Sequence, residues 1–213
     1  MARFPASLCC TLLTAALWAQ QPAPSSAKPS YHAKSSAIEP GSISGAIGDG
    51  VYRNPVFGFS YKLPYGWVDR TREMQDDSPN PSNAGGSLLL LAAFERPPEA
   101  DSNTLNSAVV IAAERLSNYS GMKTAADYFG PLTELAIAKG FEAVEEPHQF
   151  AIGSTQAVRG DFSKARGAAT VRQTSLVILE RGYEVSFTFI GESEDEVNEL
   201  IEKLNFGAKK AAH

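Results

Sequence analysis

The stretch from Asn54 to Trp67 reads NPVFGFSYKLPYGW. Phe57, Phe59, Tyr61 and Leu63 alternate with Gly58, Ser60 and Lys62, so an extended strand here has one apolar face. Pro64 has no N–H to give to a ladder and ends the strand. Leu63-Pro64-Tyr65-Gly66 is expected to turn, with proline second and glycine fourth. Trp67 then closes an edge of the core. The stretch reads as a piece of fold rather than a ligand site, and function is sought in the polar segment beyond Trp67.

That segment, residues 69–86, is turn-rich, and residues 95–106 form a second loop. Loops of this length in compact domains tend to carry function. Between and after them, residues 87–94 and 107–116 read as buried strands. Thr124 caps a helix with Asp127 at its positive end, and Gly140 stops it. Pro131 lies inside that pattern, which predicts a kink or break after Gly130. Strands come next over 148–153, 155–163, 168–180 and 183–190, with a turn at Arg181-Gly182. In the last strand Tyr183, Val185, Phe187 and Phe189 face a core, and Glu184, Ser186 and Thr188 form a polar face. Ser193 and Glu196 have the spacing of a capping box, ahead of Val197, Leu200, Ile201 and Leu204 at helical spacing. Strands joined by hairpins, with two helices laid on them, make an α+β domain with a central antiparallel β-sheet and helices packed on it.

Upstream, the 213-residue chain opens with Arg3 and a short apolar run that holds its two cysteines, Cys9 and Cys10. The run is too short for a comfortable membrane span and is expected to be a signal peptide over residues 1–19, cut after Ala19. The protein is then secreted or periplasmic, without an integral membrane segment after cleavage. The mature chain would hold no cysteine, hence no disulfide and no thiol chemistry. Residues 20–50, rich in Pro, Ser, Ala and Gly, are expected to be a linker; residues 51–207 form the domain, and residues 208–213 a frayed tail. The formal charge of −5 makes nucleic acid a poor partner.

The order of elements, with NPVFGFSYKLPYGW, EEPHQFAIGSTQAVRGDF, LVILERGYEVSFTFIG and SEDEVNELIEKL, resembles the PsbP-like family over residues 51–206. The family includes extrinsic photosystem II subunits, bacterial secreted proteins and a nuclear Ran-binding protein. The resemblance implies the fold, and a non-enzymatic accessory protein that docks on a protein partner outside the cytoplasm. Some plant members are linked to calcium or manganese. No metal-binding position matches here residue by residue, and none is carried over.

The chemistry-bearing residues are sparse. His148, with Glu145 and Glu146, is the one histidine in the ordered sequence, too few donors for a zinc site. Asp76 and Asp77 lack the alternating spacing of a calcium loop. Ser42-Ile43-Ser44 between Gly41 and Gly45 lacks the central serine of a nucleophile elbow. No catalytic set and no cofactor are expected. The partner surface is placed on the polar loop, at Arg70, Arg72, Asp76, Asp77, Asn80 and Asn83. The alternatives are metal binding by surface carboxylates, such as calcium or manganese, and a small-molecule binder or enzyme with a pocket over the sheet.

Overall fold

The computed structural model describes residues 43–76, 87–97 and 105–207. Within the opening motif, the strand is shorter than its alternation suggests. Val51–Asn54 (β2) and Phe59–Lys62 (β3) pair antiparallel, and the residues between them form a turn. The Asn54 side chain builds that turn: its Oδ1 accepts from the backbone of Val56 at 3.1 Å and of Phe57 at 3.0 Å. Phe57 therefore belongs to the turn and not the strand, yet its ring is still buried.

Ordered structure also begins before Val51. Ala46–Gly48 (β1) pairs with β2 through the two-residue loop Asp49-Gly50, where both residues have positive φ, 52° and 70°. An Asp-Gly pair in that conformation is a strong hairpin signal. The Asn54 side-chain amide reaches back to the Ile43 carbonyl at 2.9 Å, and Ile43 is buried. The small side chains of residues 43–50 give no apolar period, which is why they read as linker. The hairpin turn and one buried isoleucine bring them into the fold.

Val68–Asp69 (β4) leads to the short helix Thr71–Asp76 (α1), then to Leu88–Phe94 (β5) and Ala108–Arg115 (β6). The segment expected to be loop from Asp69 thus starts as strand and helix. Two 3₁₀ turns, Leu116–Asn118 and Ala125–Tyr128, precede the helix Phe129–Ala138 (α2). The helical run does break, but at Tyr128 and not after Gly130. Pro131 then sits in the first turn of α2, where its missing N–H costs no hydrogen bond.

Next come Glu142–Ala143 (β7), His148–Ile152 (β8), Thr155–Arg166 (β9), Ala169–Glu180 (β10) and Tyr183–Gly191 (β11). The helix Glu194–Ile201 (α3) is capped by the Ser193 hydroxyl, which accepts from the Glu196 N–H at 3.1 Å. Glu196 completes no box. Its carboxylate instead accepts from Ser107 Oγ at 2.5 Å and from the Glu192 N–H at 2.7 Å. The helix ends before Leu204, and Leu204–Phe206 (β12) turns back as a strand on β3.

The strands form two antiparallel sheets, β1-β2-β3-β12 and β4-β5-β6-β11-β10-β9-β7, with β8 also on β9. The main core lies on the face of the large sheet turned toward the small sheet and α3. There Phe59 meets Phe187 edge-on at 4.9 Å, and Val197, Leu200 and Ile201 are buried with them. A smaller cluster lies on the opposite face, where Phe129 and Ala136 pack on Val158, Phe162 and Val177. The class is α+β, as expected, although the single sheet expected is two. No helix among the described residues is long and apolar enough to cross a membrane.

Candidate functional site

Beyond β3 the chain does not turn as its proline suggests. The closing hydrogen bond runs from the Trp67 N–H to the Pro64 carbonyl at 3.3 Å, so Tyr65 and Gly66 are the central residues. Gly66 has φ of +83°, the value a type II turn demands at its third position. This register turns the Tyr65 ring out of the protein, fully exposed, while Leu63 and Trp67 lie half-buried against the main core. Ile47, 40% exposed, adds apolar surface from β1. These residues line a shallow groove of about 530 Å³, flanked by Asp49, Lys62 and Asp69. The motif is thus half core, through Phe59 and Tyr61, and half exposed aromatic surface.

Asp69 connects this groove to the expected partner loop. Its Oδ1 accepts from the Thr71 N–H at 2.9 Å and from the Thr71 hydroxyl at 2.5 Å, which starts α1. The Thr71 hydroxyl oxygen accepts from the Ala92 N–H at 2.9 Å, and the Gln75 side chain donates to the Leu89 carbonyl at 2.7 Å. Helix α1 is therefore pinned to β5. Of the expected contact residues, Arg70 is engaged in an ion pair with Glu73 at 2.6 Å, and Arg72 and Asp76 stand exposed on α1. Asp77, Asn80 and Asn83 lie outside the described residues.

A second concavity, of about 250 Å³, opens between β8, β9, β10 and α3. It gathers His148, Glu145, Arg159, Asp161, Arg172 and Glu194. Ligand atoms of Glu145, His148 and Asp161 lie within 4.8 Å of one another. Asp161 completes a triad that adjacency in sequence did not show, whereas Glu146 is not part of it. The Asp161 carboxylate is already committed. It takes two hydrogen bonds from the Arg159 guanidinium, at 2.8 and 2.9 Å, and one from Thr174 at 2.5 Å. A cation there would have to approach beside a guanidinium, which opposes it.

Sequence reasoning missed a third constellation. The polar face of β11 is not turned to water: Glu184 is 0% exposed. It lies directly across from Glu114 on β6, and the hydroxyls of Tyr119 and Tyr128 both donate to Glu114. Burial, and then the charge of Glu114, push the Glu184 carboxyl up to about 9. Burial is also the leading cause that raises both tyrosines above the ordinary phenol range.

No protein-family model and no curated protein matches the chain. Solved structures similar to it include cyanobacterial PsbP (CyanoP) from a Synechocystis species. That match has 14% identity and a TM-score of 0.48, over 76% of this chain and 96% of that one. LpqN of Mycobacterium tuberculosis, described as involved in cell envelope biogenesis, is similar at 15% identity and a TM-score of 0.36, over 69% and 82%. A Pseudomonas aeruginosa protein of unknown function is similar at 16% and 0.35, over 57% and 78%. At these scores and identities none of the three transfers a role to this chain.

Proposed function

We propose that the chain is an exported, non-catalytic binding protein that docks on a protein partner through the groove around Tyr65. The observation that carries this reading is the fully exposed Tyr65 ring, held on a hydrogen-bonded turn between half-buried Leu63 and Trp67. A tyrosine fixed in this way offers large amphipathic contact area and loses little freedom on binding, which is why such residues dominate interface energetics. Asp49, Lys62 and Asp69 supply a polar rim around the apolar centre. Exposed Arg72 and Asp76 extend the rim along the adjoining helix.

The test is site-specific photo-cross-linking in the protein's own host, with the reactive side chain at position 65 or, as control, at exposed Ala168. The expected result is one discrete adduct from position 65 and none from 168. Excess wild-type protein should compete it away, and excess Tyr65→Ala should not. Adducts equal from both positions, or competed equally by the variant, would overturn the proposal.

A further inference from the structure

Between β6 and α2 the chain crosses the second face of the large sheet as two 3₁₀ turns, Leu116–Asn118 and Ala125–Tyr128. Neither turn contains a buried residue. Glu114 ties this crossing to the sheet: Tyr128 donates to its Oε1 at 3.1 Å and Tyr119 to its Oε2. The two rings meet edge to face at 6.0 Å and 89°. Beneath them lies Glu184, wholly buried, with neither carboxyl oxygen in a complete hydrogen bond. The hydroxyls of Ser186 and Tyr128 lie close enough to favour its anion slightly, without hydrogen-bond geometry.

A wholly buried carboxyl directly beside a second, half-buried one cannot ionise cheaply as well. The two O–H donors go to Glu114, and Glu184, wholly buried without such donors, keeps its proton. The groups around the pair do not relieve it. Glu184 faces Leu179 on β10, which is uncharged. On the covering segment Tyr119 and Tyr128 keep their own protons well into alkali. Asp127 is occupied with the N–H groups of Lys123 and Thr124. Arg115 lies over the Tyr183 ring, and Tyr183 belongs to the main core on the other face.

We propose that the Glu114–Glu184 pair is a proton-operated latch: with a proton on Glu184 it holds residues 116–128 on the sheet, and loss of that proton lifts them. A second carboxylate must be hydrated, and the segment is the cheapest part to move. Strands β6 and β11 are paired with each other over eight residues and lie in the interior of the sheet. Linkage gives the sign. The closed form holds a proton that the open form releases in the ordinary carboxyl range. The latch is therefore tightest below that range, weakens as pH rises, and levels off above about 9.

Hydrogen exchange of the full chain from pH 6 to 10, corrected for the intrinsic pH dependence of amide exchange, tests this. Protection of residues 116–128 should fall by up to about tenfold per pH unit, the limit for one proton, and level off near 9. Protection of β10 and β11, which need a deeper opening, should stay above that of the segment at every pH. Glu184→Gln, neutral at every pH, should give a flat profile for the segment. Glu114→Gln should loosen it throughout. A Glu184→Gln profile identical to wild type, or exchange of β11 as fast as that of the segment, would overturn the latch. So would the absence of a protonated-carboxyl infrared band from wild-type protein at pH 7.5, a result that needs no variant.

Discussion

Phe129 lies directly over Gly160: a β-carbon at position 160 would stand 2.3 Å from the Phe129 ring. The α2 cluster approaches the sheet at the one place in β9 where the sequence offers no side chain. Gly160→Ala is expected to cost about 1–3 kcal/mol, the usual penalty for overpacking. Phe129→Leu in the same chain should recover part of it. Urea unfolding of the two single variants and the double variant measures the coupling, and additive losses would contradict this packing.

Asn54 is 1% exposed and serves three backbone groups at once, on Ile43, Val56 and Phe57. Asn54→Ala leaves two buried N–H groups and one carbonyl without that partner. The expected loss is roughly 2–4 kcal/mol, from unmet desolvation of about 1–3 kcal/mol per group, partly relieved by water. Asn54→Asp keeps the two acceptor bonds and should lose less. Thermal unfolding of both variants gives the comparison.

Tyr65 separates stability from recognition. Its ring makes no buried contact, so Tyr65→Ala should change unfolding free energy by no more than about 0.5 kcal/mol. Partner capture should fall at least tenfold. Trp67→Ala, which also removes contacts with the main core, should lose both. Parallel denaturation and binding measurements on the two variants distinguish a docking residue from a packing one.

Glu184 makes global stability depend on pH in a definite direction. Its folded carboxyl is raised from 4.5 to about 9, so the folded state holds a proton that the unfolded chain has released. Stability should fall as pH rises between those values, by at most about 1.4 kcal/mol per pH unit, and the fall should cease above the upper one. Glu184→Gln should remove this component and be the more stable protein at pH 8. Melting temperatures of both proteins across pH 5–10 measure the difference, and parallel curves would exclude the effect.

The hairpins and their faces were legible because period-two alternation and turn residues act locally. Tyr183 to Phe189 and the Arg181-Gly182 turn needed no distant information. Strand β12 was hidden because Leu204 continues the spacing of Val197, Leu200 and Ile201. Only the open edge of β3 makes a strand of it. The exposure of Tyr65 turned on a one-residue shift of the turn, which the proline did not dictate. The burial of Glu184 is set by Tyr119 and Tyr128, far away in sequence, and no alternation within β11 reports a lid supplied by another segment. Asp161 joined His148 for the same reason, through the register of β8 on β9.

The pairing of Phe206 with Phe59 also has a temporal side. A chain threaded outward from its N-terminus presents β3 with one open edge until almost all the rest of the described domain has emerged. Hairpins closed by neighbouring residues form as they appear, but this ladder joins the two ends of the described domain and waits for the last strand. The small sheet therefore becomes complete only once Leu204–Phe206 has joined β3, and a chain stalled before Leu204 would leave that edge open.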